Sequence, residues 1–228
     1  MVGTTIKKNK MIKKNLSGFA ALIIWLLPVL YLLKIYNTIP QTVPVHFGLD
    51  GIADRYGSKQ ELIWMFIILS AVTIGIYFLI RNLPRIDPKK TAGYSAATFK
   101  KLSLTLVVFL SALQLCIINA AVSGNFSMSK FMLPLLGLLF AFLGNLMHSV
   151  KPNYFFGIRT PWALEDENTW RATHQLGGKL WVAGGIFITL ITFILSPKAG
   201  FIFFICVTLL ITLIPVVFSY RYYKTHKK

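Results

Sequence analysis

Six apolar runs, each near 20 residues long, decide what this chain can fold into. They fall at about 17–36, 61–80, 102–122, 131–149, 179–195 and 200–219. A helix rises 1.5 Å per residue, so each run reaches across a hydrocarbon core of roughly 30 Å. No water is present there to satisfy backbone N–H and C=O groups, so such runs must be helical. The expected fold class is therefore all-α: a polytopic membrane helical bundle with six transmembrane helices. Only 14% of the residues are charged, against about 25% in an ordinary soluble domain. The first run is too long for a signal-peptide core and no small-residue cleavage site follows it, so it reads as a retained span, with Pro28 predicting a kink.

The net charge of +17 suggests nucleic acid at first sight. The basic residues stand at the ends of the apolar runs, however, where the positive-inside rule puts them, and no direct nucleic-acid contact is expected. With the N-terminus inside, the inner segments hold 19 Lys and Arg and the outer segments hold five: Lys34, Arg55, Lys59, Lys130 and Lys198. That bias predicts cytoplasmic N- and C-termini. We read the chain as an N-terminal membrane region, 1–100, with an extracytoplasmic loop at 37–60, and a second membrane region, 101–228, with a cytoplasmic loop at 150–178. The inner loop at 82–100 reads as plain basic surface. The short outer connections at 123–130 and 196–199 predict antiparallel neighbours.

Two polar segments are too long to be mere connectors. In the outer one, Pro40 and Pro44 favour extended backbone, and Gly48, Gly51 and Gly57 mark turns. His46, Asp50 and Asp54 fall within nine residues, ligand types that suit zinc. Their spacing is no standard metal pattern, and turn chemistry accounts for Asp50-Gly51, so the expectation is no metal and no cofactor. In the inner segment, Lys151–Gly178, a helix is expected to begin near Leu164 to Asp166, with Glu165, Asp166 and Glu167 in its first turn, favoured by the helix dipole. Trp170, Thr173, His174, Gly177 and Trp181 then share one face. The planar fork of Arg159 suits a carbonyl cluster or a lipid phosphate. His174 could titrate or bind metal, but position 178 is Gly, so no second ligand stands one turn on, and a structural hydrogen bond is the plainer reading.

The fifth run carries Gly177 with Gly184, and Gly178 with Gly185, each pair seven residues apart. The fourth offers Gly137, Ala141 and Gly144. Small faces allow close backbone approach, so the fourth and fifth spans are expected to pack together. Gln114, Asn119, Asn145 and His148 lie in or near spans and read as interhelical hydrogen-bonding groups. Cys116 and Cys206 read as small apolar residues. No Asp, Glu, Lys or Arg occupies the middle of a span, and no HExxH, GxSxG or P-loop is present, so an enzyme is not expected.

GIRTPWALEDENTWRATHQLGG, residues 157–178, resembles the signature region of the SdpI-like family, whose namesake is the bacterial immunity protein against the sporulation-delaying killing peptide. The residues that carry this are Gly157, Ile158, Arg159, Thr160, Pro161, Trp170, Arg171, His174 and Gly178. IPQTVPVHFGLDGIADRYGSK, residues 39–59, is similar to the small membrane domain of unknown function that often precedes the signature, through Pro44, His46, Phe47, Gly51, Asp54, Gly57 and Lys59. The resemblance implies a multi-pass protein of the bacterial cell membrane that protects its producer from a membrane-active peptide toxin. It also implies toxin-dependent recruitment of a cytoplasmic transcriptional repressor. The alternatives are a membrane signalling receptor with no immunity role and a small permease. Direct neutralisation points to His46 and Asp54, and signalling to Arg159, Trp170 and His174.

Overall fold

The computed structural model describes residues 2–86, 96–123 and 126–226. The centre of the basic inner loop with Lys89 and Lys90, part of the outer connection after Ser123, and the terminal Lys227 and Lys228 lie outside them. The helices are α1 (Val2–Ile35), α2 (Lys59–Ile86), α3 (Ala96–Val122), α4 (Met128–Met147), α5 (Pro161–Glu165), α6 (Glu167–Ile194) and α7 (Pro197–His226). Six of them are long and apolar enough to cross a membrane, α5 being the exception, so the chain is a multi-pass helical bundle. Most exposed residues on their middle turns are Leu, Ile, Val and Phe, as a lipid-facing surface requires.

The outer loop is more ordered than its prolines and glycines suggest. After a short 3₁₀ turn at Tyr36–Thr38, it forms an antiparallel hairpin of β1 (Thr42–Phe47) and β2 (Ala53–Ser58). Pro44 lacks an N–H, which a two-stranded hairpin tolerates because each strand has a free edge. Gly51 takes φ +75° at the tip, and Asp50 Oδ1 accepts the Ile52 N–H at 3.0 Å. Val43 is fully buried and packs with Leu32 of α1, Leu62 and Phe66 of α2, and Ile118 of α3. The hairpin is thus the cap of the N-terminal helices rather than a free loop.

Two reciprocal bonds start α2: the Ser58 hydroxyl accepts from the Glu61 amide (3.2 Å) and Glu61 Oε2 accepts from the Ser58 amide (3.0 Å). This is a capping box. Lys59 Nζ donates to the Tyr36 carbonyl at 2.5 Å and sits 3.9 Å from that ring's centroid, tying the hairpin's end to the end of α1. Between helices, Gln114 donates to Thr73 (3.3 Å) and Tyr31 donates to Asn119 (3.1 Å). Asn145 is exposed.

In the second half α6 is central, between α4 and α7, with two glycine faces doing different jobs. Gly178 and Gly185 meet α4: a Cβ on Gly185 would lie 2.5 Å from the Gly137 carbonyl and the Ala141 amide nitrogen, and one on Gly178 would lie 2.9 Å from the Gly144 carbonyl. Gly184 faces α7 instead, at Ile211 and Val207, while Gly177 lies against Ile158 of the inner segment, with Met147 of α4 and Pro215 of α7 equally near beyond it. The expected packing of the fourth and fifth spans is present, and Gly184 serves the sixth. Pro215 cannot donate to the Ile211 carbonyl one turn earlier. Trp181 Nε1 of α6 donates to that carbonyl at 3.1 Å. At the far end Lys130 Nζ donates to the Phe193 and Leu195 carbonyls at 3.0 and 2.6 Å, a cation on a helix C-terminus.

Candidate functional site

The inner segment between α4 and α6 is built from the chain outward in short, satisfied steps. Its first fixed point is Asn153, which is fully buried. Its amide donates to the Lys151 and Phe156 carbonyls at 2.9 and 3.0 Å, and its Oδ1 accepts the Phe155 and Phe156 amides at 2.8 and 2.7 Å. One side chain therefore folds the turn, as Asx motifs do. The second fixed point is Trp170 of α6, 2% exposed, whose indole donates to the Val150 carbonyl at 2.9 Å.

His174 lies one turn further along α6, stacked on Trp170 with ring centroids 3.9 Å apart. Its Nε2 accepts the Ile158 amide at 3.0 Å, which requires that nitrogen to be unprotonated. The proton is then on Nδ1, which donates to the Trp170 carbonyl at 2.8 Å. The ring is neutral and bridges α6 to the loop. Gly157 makes this possible: at φ +114° its Cα faces the His174 ring so closely that a Cβ would collide with Nε2.

Thr160 and Pro161 then start α5, with the Thr160 hydroxyl accepting the Ala163 amide at 3.3 Å and Pro161 in the first turn. The same hydroxyl lies 3.0 Å from that of Ser219 on α7, and Glu165 accepts the Tyr223 hydroxyl at 2.6 Å. The expected single helix start near Leu164 to Asp166 is corrected here. Thr160 caps one short helix and Asp166, in extended backbone, caps the next, so Glu165 closes α5 and Glu167 alone is the acid in the first turn of α6. The Thr169 hydroxyl and amide, at 2.5 and 2.6 Å, hold the Asp166 carboxyl below the usual carboxylate range.

The remaining signature residues divide. Gly178 belongs to the contact with α4. Arg159 is exposed and donates to the Tyr154 carbonyl. Arg171 is exposed and borders a separate polar recess with Lys151, Glu167 and Gln175. The outer set lies at the other end of the bundle. There Gly51 faces Ser129 at the start of α4, a helix of 20 residues and so about 30 Å long, whose far end meets the inner segment. His46 Nδ1 and Asp54 Oδ1 are 2.6 Å apart and exposed, while Asp50 is turned to its own backbone. Among the described residues no three His, Cys, Asp or Glu side chains group closely enough to hold a metal ion. Phe47 and Gly51 border an outer groove between the hairpin and the end of α3, with a volume of about 590 Å³. Asn153, Ser58 and Glu61 were not singled out in the sequence. The Ser-x-x-Glu spacing at the last two is the signal that could have found them.

The comparisons follow the same division. Residues 149–219 match the SdpI/YfhL protein family. Residues 23–71 match a domain of unknown function, DUF1648. The chain is 26% identical to a Bacillus subtilis protein named immunity protein SdpI, over 93% of this chain and 97% of that one. It is 38% identical to an uncharacterized protein of Archaeoglobus fulgidus over 69 residues, 30% of this chain and 35% of that one. No solved structure matches.

Proposed function

Residues 149–219 match the SdpI/YfhL family and the chain is similar from end to end to an immunity protein, and from that premise we propose that it is an immunity protein of the bacterial cytoplasmic membrane, protecting its producer from a membrane-active peptide toxin. The observation that carries this is the end-to-end similarity to an immunity protein, 93% of one chain against 97% of the other. That span includes both the hairpin and the inner loop.

The two ends divide the work in this reading. The hairpin, with exposed Leu49, Ile52 and Tyr56 beside the His46–Asp54 pair, meets the peptide outside. The inner loop reports inward: it is fastened to α6 through Trp170 and His174 and to α7 through Thr160 and Glu165. A transcriptional repressor docks on its exposed face, where Lys151 and Arg171 stand. One double and one single variant separate the two roles. His46→Ala with Asp54→Asn should lower survival under the toxin, while Arg171→Gln should leave survival intact and abolish recovery of the repressor with membranes. Full survival of the His46–Asp54 double variant would remove the hairpin from toxin contact.

A further inference from the structure

A cleft of about 450 Å³ lies between Leu143 and Met147 of α4, Trp181 of α6 and Val216 of α7, with the loop from Phe156 to Thr160 closing one end. Its walls are almost wholly apolar, and Arg159 is the one charged residue on them. We propose that this cleft holds an anionic phospholipid, with an acyl chain between α4 and α7 and the phosphate on the Arg159 guanidinium. The proposal stands apart from the immunity reading.

Shape and chemistry both support it. From the loop the cleft runs about one turn along α4, from Met147 to Leu143, and about one turn along α7, from Val216 to Thr212. That is the direction an acyl chain takes away from its headgroup. The indole N–H of Trp181 is spent on the Ile211 carbonyl, so this wall offers a chain an apolar face. Arg159 stands at the loop end and its backbone is held on both sides. The Ile158 amide is bonded to His174, and Thr160 caps α5 beside Ser219. A guanidinium has five N–H donors in a fixed fork. The Tyr154 carbonyl takes a bond from one nitrogen, leaving donors for a bidentate contact to a phosphate. A soluble anion would satisfy the arginine and leave the apolar walls bare. A neutral lipid would fill the walls and leave the cation without a counter-charge.

Native mass spectrometry of the full chain tests this, with phosphatidylglycerol offered in competition with diacylglycerol, which has identical acyl chains and lacks the phosphate. Phosphatidylglycerol should be retained about tenfold over diacylglycerol, the scale of one charge-assisted contact. Arg159→Gln should bring the two level, Arg159→Lys should keep part of the preference, and Val216→Trp, which fills the cleft, should reduce retention of both. Arg85→Gln, a cation on the same face by the charge count but on α2, should change nothing. Equal preference in Arg159→Gln and the native protein would overturn the proposal. So would loss of the preference in Arg85→Gln, or full displacement of the lipid by millimolar inorganic phosphate, which would mark a headgroup-only anion site. If Arg159→Gln does not fold, Arg159→Lys and Val216→Trp still decide: unchanged retention in both contradicts the site.

Discussion

Gly157 faces the imidazole of His174 across a gap that has no room for a methyl group. Ala there meets two penalties: backbone strain at φ +114°, about 1 to 3 kcal/mol, and loss of the Ile158–His174 hydrogen bond, about 1 kcal/mol. Gly157→Ala should therefore lower stability by about 2 to 4 kcal/mol, read as a fall in the thermal unfolding midpoint in detergent. It should also speed trypsin cleavage at Arg159. Trp181 gives a second test at this scale. Pro215 leaves the Ile211 carbonyl without its helical partner, and the indole fills the vacancy. Trp181→Phe should cost about 1 kcal/mol from the lost bond, on top of any packing change. In a Pro215→Ala background that cost should shrink, because residue 215 then has an amide for the same carbonyl. A double-mutant cycle with no coupling would refute the pairing. Gly157 and His174 stood out in the sequence as separate members of one signature. Their contact did not, because 16 residues separate His174 from Ile158 and only the folded loop brings them together. Asn153 passed unnoticed for the opposite reason: an Asn in a loop carries no mark until its four bonds are seen.

The elements were legible where periodicity and length speak loudly. Six apolar runs gave six long helices, and the small residues of the fourth and fifth runs do meet. The hairpin was not legible, since its strands of six residues include Pro44 and are read first as turn. What fixes it is Val43 buried among three helices, a long-range contact. The share of the glycine faces between α4 and α7 was likewise invisible, because seven-residue spacing names a face and not its neighbour. Two predictions belong here. Gly185→Ala places a methyl 2.5 Å from α4 backbone atoms and should destabilise by about 1 to 3 kcal/mol, as overpacking does. Gly75→Ala on α2, where a Cβ meets nothing within 4 Å, should be neutral or stabilise by up to about 1 kcal/mol through helix propensity. Equal unfolding midpoints for the two variants would contradict the packing. Asp166 governs the start of α6: Asp166→Ala should cost about 1 kcal/mol. Its folded pKa lies below its unfolded value. Its contribution is therefore fully present above pH values near 4, and acid titration should remove it as pH falls through the folded pKa.

At the scale of the whole molecule, the expected orientation rests on the Lys and Arg count of the sequence, 19 in the segments read as inner and five in those read as outer. Cysteines at Leu49 in the hairpin and Asn168 at the start of α6, with Cys116 and Cys206 replaced by Ala, read it directly. An impermeant maleimide should label position 49 in intact cells and position 168 only after permeabilisation. In the function proposed above, the hairpin meets the peptide outside and the inner loop meets the regulator inside, joined by helices about 30 Å long. Protection of the producing cell is the proposed function, and survival under the toxin reads it out. A sensitive bacterium expressing this chain is challenged with the sporulation-delaying killing peptide and, separately, with an unrelated pore-forming peptide. Cells carrying the protein should survive the first and die under the second. Death under both, with the protein demonstrably inserted in the membrane, would contradict it.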